Sequence, residues 1–162
     1  MKENLEKATR LVPCSVVLLS VGTEERQDAM TATAMFVSEN PPLFTVSVAK
    51  HIVSHDLIEK AGEFAINVAS TDQVELAKKL GYTHGRDVDK FKEFNIQTQK
   101  ATKINAPLIN GSFATIECKV ITSLTAANYT VYLAEAVAYG VNEDLTPIAW
   151  QGDKYFPLKD TV

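Results

Sequence analysis

Two stretches of this chain carry residue types suited to holding a ligand. In Ser47-Val48-Ala49-Lys50-His51-Ile52-Val53-Ser54-His55 an alternating apolar run gives way to helical spacing near Val53 or Ser54. A helix start offers unpaired N–H groups and the positive end of the helix dipole, which suit a phosphate. Lys50 would add a full charge there, and Ser54 a hydroxyl at the cap or in the first turn. The plain alternative, a solvated lysine and a capping serine, explains the segment equally well. In Thr31-Ala32-Thr33 the residues are small. A flat aromatic ligand needs a wall without bulk and backbone N–H and C=O at its polar edge, with threonine hydroxyls as further partners. Tight packing against a neighbouring subunit needs the same smallness, and a ligand at a subunit interface would satisfy both.

Other chemistries find little purchase. There is no GxGxxG after a strand, no GxxxxGK[ST] and no GxSxG. None of the three histidines, His51, His55 and His84, sits beside an obvious serine or cysteine nucleophile. His51 and His55 are four apart, a spacing that would let them share a metal on one helix face with His84 or a carboxylate as third ligand. Without the metalloprotease glutamate that pattern is weak, and two polar residues at a helix start account for it. Cys14 and Cys118 lie far apart in apolar, strand-like runs with no CxxC, as reduced core residues do.

The elements that must position these residues are mostly strands. Residues 15–21, 29–37, 43–49 and 64–68 read as strands, with Asn40-Pro41-Pro42 interrupting the sheet because proline cannot donate to a ladder. Residues 112–122 alternate most clearly, and 129–141 form a long strand with both faces covered. Val53, Leu57, Ile58 and Ala61 share a helix face that Gly62 should end. Ser70 and Gln73 make a capping box for a helix that should stop at Gly81. Residues 89–94 suggest one helical turn, and residues 3–11 weak helical character. Six or so strands with helices inserted between them, and no repeating parallel crossover, predict a mainly β protein: an antiparallel barrel with inserted helices.

With 162 residues, 46% of them hydrophobic and 22% charged, a single domain (1–162) with a real core is expected. A net charge of −4 offers no basic stripe for a nucleic acid. The N-terminus is too charged for a signal peptide, and no apolar run approaches membrane-spanning length, so a cytoplasmic protein without membrane contact is expected.

The order of segments resembles the flavin reductase-like, FMN-binding split-barrel proteins, which include flavoredoxins and ferric or flavin reductases. The matching pieces are Asp28-Ala-Met-Thr-Ala-Thr-Ala34, Val37-Ser-Glu-Asn-Pro-Pro-Leu43, the segment 47–54, Gly62-Glu-Phe-Ala-Ile-Asn-Val68, Gly85-Arg-Asp-Val-Asp-Lys-Phe91 and Gly111-Ser-Phe-Ala-Thr-Ile-Glu-Cys118. The resemblance implies a homodimer of six-stranded antiparallel barrels with FMN in a groove at the interface. It implies that Thr31, Ala32 and Thr33 hold the isoalloxazine edge. Ser47, Val48, Ala49 and Lys50 would line the ring and ribityl chain, and Lys50, Ser54 and His55 would approach the phosphate. His84 and Lys90 belong to the segment that closes over the flavin, and Tyr155 would stack at its mouth. The implied activity is electron or hydride transfer through FMN, to or from a small molecule or a protein. The alternatives are a flavoredoxin-like carrier without NAD(P)H activity, and a reductase that releases reduced flavin to a partner monooxygenase. One departure stands out: reductases using NAD(P)H commonly carry Gly-Asp-His where this chain reads Ala126-Ala127-Asn128-Tyr129.

Overall fold

The computed structural model describes residues 4–159. A 3-10 turn (Leu5–Arg10) leads into β1 (Cys14–Ser15), β2 (Val17–Gly22), β3 (Gln27–Ala32), β4 (Ala34–Glu39) and β5 (Pro42–Ala49). Helix α1 (Val53–Ala61), β6 (Glu63–Val68), α2 (Val74–Tyr82) and the single turn α3 (Lys90–Glu93) follow. The chain then forms β7 (Thr98–Gln99), β8 (Leu108–Ile109), the long pair β9 (Ala114–Ala126) and β10 (Tyr129–Val141), and the hairpin β11 (Ile148–Gln151) and β12 (Lys154–Pro157).

Seven of these strands form one antiparallel sheet in the order β3-β2-β6-β9-β10-β5-β4. Its two ends, β3 and β4, are separated in the chain by Thr33 alone. They are the two halves of one bent strand, so the sheet closes on itself as a barrel of six staves. The single strand expected over residues 29–37 is this bent stave, broken where Thr33 leaves both ladders.

Strand β2 is buried along its whole length because both of its faces are covered. Val17, Leu19 and Val21 point into the barrel, where they meet Val46, Val48, Phe64, Ile66, Cys118, Tyr132 and the apolar face of α1. Val16 and Leu18 point outward, beneath Ala77 and Leu80 of α2, Phe91 of α3 and Ile148. Helix α1 is thus a plug in the barrel. Its spacing drives Val53, Leu57 and Ile58 inward, each contributing about 1.5–3 kcal/mol of burial. Gly62, at φ +67°, takes the left-handed C-cap that turns the chain into β6.

The expected capping box of Ser70 and Gln73 is present ahead of α2. Helix α2 does not stop at Gly81 but runs to Tyr82, since Gly81 packs over Thr31 and keeps a helical conformation. Residues 15–21 divide into β1 and β2 because β1 leaves the barrel to pair with β11, Cys14 facing Trp150. Among the described residues no helix is long and apolar enough to cross a membrane.

Candidate functional site

The bend at Thr33 interrupts the ladders on both sides of it. There the β3 ladder with β2 ends at Ala32, opposite Val17, and the β4 ladder with β5 begins at Ala34, opposite Val46. Ser15 Oγ spans the break, donating to Ala34 O at 2.7 Å and accepting from Ala34 N at 3.1 Å. A pocket of ≈ 200 Å³ opens against the bend, lined by Thr31, Ala32 and Thr33 on one side and by Val16, Trp150 and Tyr155 on the other. Trp150 and Tyr155 face each other across the β11–β12 ladder, so the hairpin delivers both rings together. Burial, and then neighbouring Tyr82, hold the Tyr155 phenol above its ordinary pKa, so it stays neutral at physiological pH. The pocket has what a flat heteroaromatic ring requires: an aromatic and apolar wall facing a backbone edge clear of bulky side chains.

The strand–helix junction is built differently from the sequence expectation. Lys50 is exposed at the end of β5, and its backbone N–H donates to Asn128 O at 2.9 Å, which fixes the β9–β10 turn beside it. Ser47 is exposed and Ala49 half-buried, but the Val48 side chain lies wholly in the barrel core, so it does not line a groove. The N-cap of α1 is Ile52, and Ser54 falls in the first turn of the helix.

Ser54 is fully buried, and its hydroxyl donates to Asp28 Oδ2 at 2.6 Å. Lys90 is also buried; its Nζ lies 3.1 Å from Asp28 Oδ1 and donates to Ala29 O at 2.6 Å. Both residues, expected at a phosphate or over a flavin, are instead committed to Asp28 inside the fold. The reason is electrostatic. A buried carboxylate must be met by donors, and Ser54 and Lys90 are the donors at hand. Periodicity gave no sign of this, because Asp28 sits in a strand whose other residues look like ordinary packing.

His55 is largely buried. Its Nε2 lies 2.8 Å from Thr130 Oγ1 on β10, while its Nδ1 is buried without a hydrogen-bond partner among the described residues. His84 is exposed, its ring centroid 6.2 Å from that of His51. Arg86 donates to His51 O at 3.0 Å and lies 3.8 Å from Asp56. The loop of residues 83–89 is therefore seated on the junction that carries Lys50. Thr31, Ala32, Thr33 and Tyr155 come together in one pocket, and His51, His84 and Arg86 gather at the junction that follows Lys50, with Asp56 beside Arg86. Among the described residues no three of the His, Cys, Asp and Glu side chains are placed to hold a metal ion.

A larger open cavity of ≈ 580 Å³ lies between residues 23–27 and the outer side of this loop. Charges of both signs line it, among them Glu24, Arg26, Arg86 and Asp89, and no aromatic wall does. It is poorly suited to a flat ring. Trp150, the chain's sole tryptophan, was missed by the sequence reading. Its apolar partner on the facing strand, Tyr155, was the only signal that pointed there.

Residues 9–159 match the family model for the flavin reductase like domain, and the chain belongs to that family. An NADH-dependent FAD reductase of Streptomyces globisporus is 28% identical over 127 residues, 77% of this chain and 68% of that protein. An NADH-type FMN reductase of Agrobacterium fabrum is 28% identical over 141 residues, 86% of this chain and 76% of the other. Among solved structures, flavoredoxin of Desulfovibrio vulgaris (Miyazaki F) superposes with a TM-score of 0.87 at 22% identity, covering 100% of this chain and 96% of that one. That likeness is one of fold, a mainly β split barrel.

Proposed function

We propose that this protein is a flavin-dependent oxidoreductase that holds FMN with its ring at the Thr31–Thr33 bend and its phosphate near Lys50. The observation that carries the reading is the pocket at the bend, where a bulk-free backbone edge faces Trp150 and Tyr155. Bound there, the flavin would supply electron or hydride transfer. The chain's own part is to bind and orient it. Trp150 and Tyr155 offer the ring an aromatic wall, Ala32 leaves room for it, and backbone groups at the bend meet its polar edge. Lys50 and Arg86, near the head of α1, give the phosphate positive charge, with His51 and His84 beside them as hydrogen-bonding rings.

A homodimer completes the groove in this reading. Met35, Phe36 and Val37 on β4 and Ile121 and Leu124 on β9 are exposed apolar side chains on the barrel wall, the composition of a surface awaiting a second copy. A second reading, an electron carrier without NAD(P)H activity, draws on the β9–β10 turn. Ala126-Ala127-Asn128-Tyr129 has no histidine, and the turn is bonded to the backbone of Lys50.

The test uses the sole tryptophan as a reporter. FMN bound against Trp150 should quench its fluorescence to saturation, and NADH added without oxygen should then bleach the flavin absorption. Quenching without bleaching by NADH or NADPH supports the carrier. No quenching and no FMN binding by the folded protein overturns the flavin reading.

A further inference from the structure

We propose that Asp28 is a positioning residue: it latches the loop of residues 83–89 over the flavin site and thereby sets how long the flavin stays bound. The inference rests on the flavin reading above. Asp28 lies on β3, three residues before Thr31, and ties three other parts of the chain to that strand. Ser54 Oγ of α1 donates to it at 2.6 Å, and Lys90 Nζ of α3 lies 3.1 Å away. The loop itself is the third part. Gly85 is buried directly against the carboxylate; a Cβ built on it would stand 2.6 Å from Asp28 Oδ1 and 3.0 Å from Cγ. A side chain there would force the Asp28 carboxylate to shift, so glycine is favoured for space and not for its conformation. Arg26, two residues before Asp28, donates to Gly85 O and holds the loop from the outside.

The loop is thus gripped at Gly85 from both sides, and the residues flanking that grip reach the site and make their own contacts there. His84 packs beside His51, and Arg86 bonds to His51 O. A loop freed at Gly85 would lose both placements together, while the ring pocket of Thr31–Thr33, Trp150 and Tyr155 would be left intact. The latch therefore acts on flavin retention and not on the transfer step.

The experiment measures FMN dissociation by recovery of Trp150 fluorescence in the parent and in Gly85→Ala. The expected result is release at least tenfold faster, with unchanged quenching at saturation and an unchanged electron-transfer rate at saturating FMN. Trypsin should also cut faster after Arg86. A merely structural glycine would lower the melting temperature without separating retention from turnover. Should Gly85→Ala fail to fold, Asp28→Leu with Lys90→Met removes the ion pair at similar volume and is expected to stay folded; its FMN release should quicken likewise. Dissociation within twofold of the parent in a folded variant overturns the latch. A parent that binds no FMN overturns the functional reading first, and the latch with it.

Discussion

Lys50 and Ser54 stand four residues apart at one junction, yet their substitution should differ in what it costs the fold. Lys50 is exposed, so Lys50→Ala removes a charge and little packing. A charge-assisted hydrogen bond to phosphate is worth about 1.5–3 kcal/mol, and solvent screening at an exposed site favours the lower end. FMN affinity should fall roughly tenfold, since 1.4 kcal/mol is a factor of ten. Riboflavin has the ring and ribityl chain but no phosphate, so its affinity should not change. Ser54→Ala removes a buried donor from a buried carboxylate, a loss of roughly 2 kcal/mol. In a chain of this size that lowers Tm by roughly 4–8 °C. Through Asp28 it loosens the loop that carries His84 and Arg86 to the phosphate seat, so it too should weaken FMN more than riboflavin, but together with a fall in Tm that Lys50→Ala does not show. The assay is a pair of titrations read by Trp150 fluorescence, with a thermal melt of each flavin-free protein. If Lys50→Ala weakens riboflavin as much as FMN, the phosphate is wrongly placed. If Ser54→Ala alters the ratio and leaves Tm alone, the serine touches phosphate and the buried network has been misjudged.

Glu117 is buried on β9. Burial alone would raise its pKa, but it accepts from the N–H groups of Thr102 and Lys103 and from the Thr102 hydroxyl, and these hold it below its ordinary value of 4.5. A depressed folded pKa means stability that is present above pH 4.5 and lost as pH falls through the folded value. Glu117→Gln should cost about 3 kcal/mol at neutral pH and flatten the acid limb of a Tm-against-pH curve. Burial pushes the Cys118 thiol up to about 12, whereas Cys14 is partly exposed. A thiol reagent at pH 8 should label one cysteine in the folded protein and two after denaturation, with mass spectrometry placing the first on Cys14. The Thr31 hydroxyl donates to Ala77 O inside the fold. Thr31→Val should therefore cost about 1 kcal/mol in a denaturant melt and leave FMN affinity within threefold.

The barrel was legible because its strands are patterned locally. The alternation of Ala114, Ile116, Cys118 and Val120, the helical face of Val53, Leu57 and Ile58, and the glycine stop at Gly62 each follow from the period of one element. The bend at Thr33 was not legible as a bend: it arises from closure of the sheet, which no local pattern records. Thr31, Ala32, Thr33 and Tyr155 were chosen from residue type and resemblance, and the fold does bring them to one pocket. Ser54 and Lys90 were misjudged for one reason. A polar side chain near a helix start reads as available until the buried charge that claims it is known, and Asp28 is 26 residues from Ser54 and 62 from Lys90. Trp150 was hidden in a short tail whose hairpin becomes evident only in its pairing with β1.

The closed sheet also sets the order in which the chain can become safe from aggregation. Strand β5 pairs with β10 in a register that joins Ala49 to Tyr129, a separation of 80 residues. During synthesis at roughly 5–20 residues per second, the β5 edge waits about 4–16 s for its neighbour to be made. Strand β6 waits in the same way for β9, with Glu63 opposite Lys119. For those seconds the nascent chain exposes two apolar strand edges, Leu43 to Ala49 and Phe64 to Val68, open to any other strand that can pair with them. The closure that completes the barrel thus leaves two strand edges to be guarded, during synthesis, against pairing with other chains.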